Sequence, residues 1–210
     1  TAEMPGHYSE KNLDLAGFCI GAAEREHVFN INNVKEKNIV IAVESSGLHS
    51  NGYTLIRKLI TENSINLDDK TPFDQNIIFS EILLKPTFIY SNLFKKIKSK
   101  IQINGITHIT GGGLVENPPR TFSKNLKIIL NLDSYPINDL YKWIKEEANL
   151  SWFELLQTFN CGIGLLIYLN KSDGQNMLNL IHSNGFKAWI VGEITKNQNN
   201  ENVEFLGLKN

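Results

Sequence analysis

The sequence predicts an α/β domain built around a mixed β-sheet. Short apolar runs rich in Ile, Val and Leu, typical of strands, alternate with segments whose apolar residues recur at helical spacing. Alternating strands and helices are the pattern of layered α/β domains. The chain has 210 residues, of which 41% are hydrophobic and 20% charged, so it can bury a sizeable core.

Seven segments carry strand signals. The earliest, 13–23, is rich in small residues, which predicts a strand against which another element packs closely. A charged, Asn-rich stretch follows at 24–37, and we interpret it as a linker or domain boundary. The remaining predicted strands are 38–44, 105–109, 126–132, 163–169, 187–195 and 202–206.

The best-defined predicted helix covers 53–60, where the apolar residues follow helical spacing. Ser50 or Asn51 is its predicted N-cap, because such side chains accept a hydrogen bond from a free N–H of the first turn. Pro86 ends the next helix, and Asn184-Gly185 is a stop signal for the last one. The other predicted helices are 79–84, 87–99, 138–148, 151–157 and 173–184.

Composition argues against several classes of function. A net charge of −1 lacks the basic excess of a nucleic-acid surface, and no apolar run approaches the roughly 20 residues needed to span a bilayer. Cys19 and Cys161 lie in apolar stretches, which predicts buried, reduced thiols in a cytosolic protein rather than a disulfide. A structural zinc site is not expected, because no ligand spacing with cysteines or carboxylates is found for His7, His27, His108 and His182.

Three consecutive glycines, Gly111 to Gly113, follow the predicted strand 105–109. Glycine lets backbone N–H groups approach a ligand closely, and consecutive exposed amides suit a phosphate. Glu116 and Asn117 should face back toward the loop, and Arg120 could clamp a phosphate. A surface turn closed by the two prolines is the alternative. The motif is not a P-loop, because no phosphate-binding lysine closes it.

Two further glycine-bearing loops are candidates. We expect the loops at 47–52 and 110–117 to lie on one side of the sheet and face a common cleft, because both follow predicted buried strands. In the first, Gly47 and Gly52 flank His49, which could serve as an acid, a base or a hydrogen-bond donor. We expect His49 in a polar loop rather than in the core; the alternative is a capping turn with an exposed histidine. In the second loop, Asn160 and Gly162 flank Cys161, whose apolar neighbours favour a packed, inert thiol over a nucleophile.

Taken together, the motifs match one family. The runs are TAEMPG with Tyr8, Asp14-Leu15-Ala16-Gly17-Phe18, SSGLHSNGYTL, KPTFIY, HITGGGLVENPPR, TFNCGIG and Ala188-Trp189-Ile190-Val191-Gly192. In order and spacing they resemble the phosphoribosylformylglycinamidine cyclo-ligases, also called aminoimidazole ribonucleotide synthetases, over nearly the whole chain. Each run alone is weak, but seven in order are specific.

The resemblance implies a three-layer α/β/α C-terminal domain at 34–210. Residues 1–33 would be a linker and the last strand of a mostly missing N-terminal ATP-binding domain. The chain begins at Thr1, in the middle of a motif, so we expect a fragment. The family's Gly-Gly-Glu before Thr-Ala-Glu is absent, and with it an acidic residue expected near the metal.

The resemblance also implies the reaction: ATP-dependent cyclisation of formylglycinamidine ribonucleotide to aminoimidazole ribonucleotide in purine biosynthesis. ATP and Mg²⁺ would be held mostly by the missing domain, with no metal site in this chain. The full-length protein would be a cytoplasmic homodimer with no nucleic-acid or membrane partner. His49 is the candidate catalytic residue and Glu3 a candidate nucleotide contact. The candidate substrate- or phosphate-binding residues are Ser50, Asn51, Gly52, Thr110, Gly111, Gly112, Gly113, Glu116, Asn117, Arg120, Asn160 and Gly162.

Three positions depart from the family pattern. Pro118 stands where an aliphatic residue is usual, Leu48 where proline is common, and Gln157 replaces a frequent arginine, which puts an anion contact there in doubt. Two alternatives remain. One is another enzyme of the superfamily, such as thiamin monophosphate kinase, selenophosphate synthetase or formylglycinamidine ribonucleotide synthetase. The other is a non-catalytic binding domain of the same fold.

Overall fold

A six-stranded mixed sheet forms the centre of the molecule. The computed structural model describes residues 17–207. The strands are β1 (Ile39–Glu44), β2 (Gly105–His108), β3 (Leu126–Asn131), β4 (Ile163–Leu169), β5 (Ala188–Lys196) and β6 (Val203–Leu206). Their order across the sheet is β2-β4-β1-β5-β3-β6. The six strands predicted after residue 37 are therefore confirmed: the bounds of β4 match the prediction, and those of the other five strands differ by one residue at one or both ends.

The strand directions bring several loops to one end of the sheet. β4 is antiparallel to β1 and β2, whereas β5 is antiparallel to β1 and β3. β6 is parallel to β3. Strands β1, β2, β3 and β6 therefore finish at the same end, where β4 and β5 begin. We call this the loop end of the sheet.

Helices cover both faces of the sheet. They are α1 (Tyr53–Glu62), α2 (Phe79–Leu83), α3 (Ser91–Ile97), α4 (Gly113–Glu116), α5 (Asp139–Glu147), α6 (Trp152–Thr158) and α7 (Gly174–His182). Side chains of β1 alternate between two cores: Val40 and Ala42 join the core under α1, α2, α4, α5 and α6, whereas Ile41 joins the core under α3 and α7. The expected three-layer α/β/α arrangement is confirmed.

The start of the described chain differs from the prediction. Residues 17–23 form no strand and are exposed, and residues 13–16 lie outside the described range. Cys19 is exposed, so its expected burial is wrong. The small and apolar residues there suit close packing, but no described element packs on them: Phe18 is 90% exposed. Exposure continues to residue 33 and ends at the buried Val34.

The N-terminus of α1 is not capped as predicted. Neither Ser50 nor Asn51 caps the helix; Gly52 does, with φ of 83° in the left-handed region and no side-chain cap. A Cβ at this position would stand 2.0 Å from the ring of Phe159. The close approach of that ring therefore requires glycine, and a side-chain cap is excluded there.

Cys161 is a fully buried free thiol, as predicted, and burial raises its pKa. A buried thiol with a raised pKa is unreactive, which agrees with the prediction of a packed, inert Cys161. None of the helices found between residues 17 and 207 is long and apolar enough to cross a bilayer.

Candidate functional site

Three polar loops pack against one another at the loop end of the sheet. They are 45–52 after β1, 109–117 after β2, and 159–162 before β4. Asn51 Oδ1 lies 3.1 Å from the place where a Cβ at Gly111 would stand. A Cβ at Gly113 would stand 2.9 Å from the carbonyl oxygen of Phe159 in the third loop and 2.0 Å from that of Leu156 in α6. The glycines thus allow the loops to meet, which the sequence predicted for the first two.

Asn160 connects the first and third loops. Its Oδ1 accepts hydrogen bonds from the Ser45 hydroxyl at 2.9 Å, the Tyr141 hydroxyl at 2.7 Å and the Gly162 N–H at 2.8 Å. Its Nδ2 donates to the Gly47 carbonyl at 2.8 Å. The side chain is 4% exposed, and these bonds use both of its polar atoms. Asn160 therefore holds the loops in place in this structure.

Sequence reasoning missed Tyr141. This residue of α5 is 1% exposed, and its hydroxyl lies 2.9 Å from the Gly47 carbonyl as well as against Asn160. Burial raises its pKa, so the hydroxyl stays protonated and can donate. A signal was available, because a tyrosine on the buried side of an amphipathic helix needs a hydrogen-bond partner.

Asn117 shapes the triple-glycine loop. Its Oδ1 accepts the Thr110 N–H at 2.6 Å, and its Nδ2 donates to the Gly111 carbonyl at 2.8 Å. The expectation that this side chain faces back toward the loop is confirmed. Gly112 and Gly113 have φ of 94° and 54°, a left-handed pair that other residues rarely adopt. Thr110 and Gly111 remain exposed.

The carboxylate of Glu116 sits over this loop. Its Oε2 would be 2.7 Å from a Cβ at Gly112. The same carboxylate accepts a bond from Arg120 Nη2 at 3.4 Å and another from Gln157 Nε2 at 3.3 Å. Both members of the ion pair are about half exposed or more, so the pair adds little stability. Arg120 is therefore available to an anion at small cost.

His49 is buried, which corrects two expectations. Only 7% of the residue is exposed, so it is neither at the polar surface nor in an exposed capping turn. The backbone at His49 is left-handed, with φ of 60°. Nε2 accepts the Ser46 N–H at 3.2 Å. Burial, with a smaller effect of His108, lowers the pKa of His49 to about 4.

Tyr90 is a second residue that sequence reasoning missed, although its run, KPTFIY, matches the family. Its ring lies 6.1 Å from that of His49 and 5.9 Å from that of His108, and its hydroxyl donates to the Glu44 carbonyl at 2.7 Å. A Cβ at Gly164 would stand 1.8 Å from the Tyr90 oxygen. Gly164 thus makes room for a tyrosine that supports the end of β1.

The remaining candidates are placed as follows. Ser50 is exposed, and Asn51 is half-buried and lies beside Gly111 of the triple-glycine loop. The N–H of Gly162 is already used by Asn160. Glu3 lies outside the described residues.

A cleft of about 510 Å³ opens beside Ser45, Gly47 and Gly162, walled by Pro86 and Tyr141. None of its lining residues comes from 110–117, so this is not the common cleft expected for the first two loops. An open groove of about 720 Å³ lies instead along Glu116 and Arg120, against β6.

Within residues 17–207, no three His, Cys, Asp or Glu side chains are grouped so as to hold a metal ion.

The comparison with protein families decides the classification. The model described as "AIR synthase related protein, C-terminal domain" matches residues 35–203. The chain belongs to this family. The matched range includes strands β1 to β5, the first residue of β6 and all three loops.

Curated relatives are similar over most of the chain. A protein of Lawsonia intracellularis (strain PHE/MN1-00) named phosphoribosylformylglycinamidine cyclo-ligase is 39% identical over 196 residues, which cover 93% of this chain and 56% of the relative. A protein of the same name from Fusobacterium nucleatum is 41% identical over 196 residues, with 93% and 58% covered. The chain spans between half and two thirds of the length of these relatives.

Solved structures show the same fold at low identity. Escherichia coli HypE, a hydrogenase maturation protein, aligns with a TM-score of 0.56 at 17% identity, covering 86% of this chain and 50% of HypE. The thiamine-monophosphate kinase of Stenotrophomonas maltophilia K279a gives a TM-score of 0.57 at 15% identity, covering 87% and 54%. At such identities the likeness concerns the fold alone.

Proposed function

We propose that this chain is the C-terminal part of a phosphoribosylformylglycinamidine cyclo-ligase. The observation that carries the proposal is the meeting of three glycine-bearing polar loops at one end of the sheet. They belong to a chain about two-fifths identical to proteins of that name. Ligands of open α/β sheets commonly bind at strand ends. Residues 1–33 would complete an N-terminal domain, and 34–210 would be the C-terminal domain.

The reaction would be ATP-dependent ring closure in purine biosynthesis. The formamide oxygen of formylglycinamidine ribonucleotide attacks the γ-phosphorus of ATP, and ADP leaves. The amidine nitrogen then attacks the activated carbon, so that a C–N bond forms, the C–O bond breaks, and phosphate leaves with loss of one proton. Both steps need positioning and charge stabilisation rather than a covalent enzyme nucleophile.

The described residues suit one part of this task. Exposed backbone at Thr110 and Gly111, with Asn51 beside it, offers polar groups to a phosphate, and Arg120 supplies a positive charge. Asn117 and Asn160 hold these loops in shape through their buried side chains. We therefore assign Asn117 and Asn160 a positioning role and the exposed loop residues a binding role.

ATP and Mg²⁺ would be held mainly outside the described residues. The triple-glycine loop has no phosphate-binding lysine, and the described carboxylates are not grouped around a metal position. Mg²⁺ would neutralise charge on the transferred phosphate when bound. A cytoplasmic homodimer, in which the partner lies against the exposed segment 17–33, completes the proposal.

The test is an assay of the whole gene product that contains this chain. With formylglycinamidine ribonucleotide, ATP and Mg²⁺, we expect equal amounts of ADP and aminoimidazole ribonucleotide. No ADP should form when the amidine is omitted, or when thiamin monophosphate replaces it. Phosphorylation of thiamin monophosphate would instead support another enzyme of the superfamily. Amidine binding without turnover would support a non-catalytic domain.

The 210-residue chain alone should not close the ring, because most of the groups for ATP and Mg²⁺ are expected elsewhere. The same assay on the purified chain checks this expectation. Measurable aminoimidazole ribonucleotide from the chain alone would contradict the proposed division of the site.

A further inference from the structure

The imidazole of His49 has its two nitrogens in different situations. Nε2 accepts a hydrogen bond from the Ser46 N–H at 3.2 Å. A ring nitrogen that accepts must carry a lone pair, so the neutral ring holds its proton on Nδ1. The loop itself thereby selects the Nδ1–H tautomer.

Nδ1 is buried and has no hydrogen-bond partner among residues 17–207. Leaving a buried donor unpaired is unfavourable, and such groups in native proteins call for an explanation. A bound molecule that brings an acceptor oxygen would supply the missing partner.

The surroundings keep the ring uncharged near neutral pH. The rings of Tyr90 and His108 lie 6.1 and 6.4 Å away. Burial raises the pKa of Tyr90, so its hydroxyl stays neutral, and burial lowers the pKa of His108. No described carboxylate stabilises a positive charge on His49, whose pKa is lowered to about 4 by burial and, to a smaller extent, by His108.

We infer that His49 acts as a neutral hydrogen-bond donor, through Nδ1–H, to an anionic oxygen of the phosphorylated substrate, and not as a general acid or base. This inference rests on the proposed ring closure. A fixed neutral donor stabilises developing negative charge without giving up its proton. Nε2, the other nitrogen that could exchange a proton, remains bound to the backbone of its own loop.

The loop must move slightly for the donor to reach a ligand, since Nδ1 has no appreciable solvent exposure. One feature favours such a movement: His49 holds a left-handed φ of 60°, an unfavourable conformation for a residue with a side chain.

The first arm of the test measures the tautomer directly. In the chain labelled with ¹⁵N-histidine, long-range ¹H–¹⁵N spectra distinguish a protonated from an unprotonated ring nitrogen. We expect Nδ1 of His49 to be protonated and Nε2 unprotonated from pH 5.5 to 8. A protonated Nε2, or a charged ring at neutral pH, would overturn the inference even if the enzyme is active.

The second arm compares His49→Asn with His49→Gln in the whole gene product. The carboxamide nitrogen of Asn reaches about as far as Nδ1, whereas that of Gln reaches about as far as Nε2. We expect His49→Gln to lower kcat by on the order of 10²-fold, the usual effect of losing one positioned donor. His49→Asn should lose about tenfold less and keep every ionisation of the wild-type pH–rate profile.

Equal losses in the two variants, or an ionisation missing from His49→Asn, would contradict a donor role. Thermal unfolding of each variant shows whether a loss of activity is a loss of fold. If the unmodified protein fails to close the ring, the proposed function fails. The tautomer measurement then decides alone whether His49 is poised as a donor.

Discussion

At the scale of single residues, the loop end of the sheet depends on buried polar side chains that bond to the protein itself. Asn160 and Asn117 use their amides on neighbouring loops, and Tyr141 adds its hydroxyl. The Asn-Cys-Gly and Glu-Asn sequences indicated polar loops. They could not show which side chains would be buried, because burial depends on segments more than a hundred residues apart, such as Ser45 and Asn160.

Asn160→Ala should destabilise the chain by about 2–4 kcal/mol. It leaves the Gly162 N–H without its partner and removes one hydrogen bond each from the Ser45 and Tyr141 hydroxyls and the Gly47 carbonyl, and unsatisfied buried polar groups are costly. Urea unfolding measures the loss. Asn33→Ala is the matched control, because Asn33 is exposed and should change stability by less than about 0.5 kcal/mol. Equal effects at the two positions would show that the Asn160 bonds contribute little.

The depressed pKa of His49 predicts a pH dependence of stability. Because the folded-state pKa of about 4 lies below the ordinary 6.5, the unfolded chain binds more protons between these values. Stability is therefore complete above about pH 6.5 and falls as the pH drops toward 4, by up to about 1.4 kcal/mol per pH unit. The pKa of His108 is also lowered, so its protonation adds to the loss of stability at low pH.

Urea unfolding at pH 5 and pH 7.5 checks this dependence. His49→Asn cannot titrate, so the difference in unfolding free energy between the two pH values should shrink. His27→Asn should leave it unchanged, because His27 is exposed. An undiminished difference in His49→Asn would mean that the folded-state pKa of His49 is ordinary.

At the scale of elements, glycines determine how helices and loops approach one another. Periodicity predicted α1, but its cap could not be predicted. The constraint comes from Phe159, a residue distant in sequence whose ring lies against Gly52. The same holds for the triple glycine: the sequence suggests phosphate binding, while the structure shows that Gly113 also admits the carbonyl of Leu156.

Gly52→Ala should destabilise the chain by about 3 kcal/mol, through left-handed strain of about 1–2 kcal/mol and a clash with the Phe159 ring. Gly185→Ala is the matched control. Its φ of 84° is nearly the same as that of Gly52, but nothing lies within 4 Å of the added Cβ. Thermal unfolding of both variants separates strain from clash, and equal shifts would show that the ring moves aside freely.

At the scale of the whole molecule, alternation of strands and helices was enough to predict the sheet and its layers. The strand prediction was wrong at 17–23. Small and apolar residues indicate that a segment is buried, but they do not indicate which surface buries it. The described chain leaves Phe18 and Ile20 exposed, at 90% and 84%. Proximity of the functional loops was predictable in outline, since strand ends share one edge of a sheet. The burial of His49 was not, since it depends on packing against Tyr90 and His108, which are distant in sequence.

The reactivity of the two cysteines can test this difference between the exposed segment 17–33 and the folded core. Cys19 is exposed and Cys161 is fully buried, with a pKa raised by burial. A thiol reagent should therefore label Cys19 about as fast as it labels a small free thiol in solution. Cys161 should react only when the core opens, because the thiolate is the reactive form and its sulfur is out of reach. In Cys19→Ser, labelling of Cys161 should be slower by several orders of magnitude and should accelerate with urea in parallel with unfolding. Fast labelling of Cys161 in buffer would mean that the 159–162 loop opens locally, and the loop end would then be far less rigid than its network of hydrogen bonds implies.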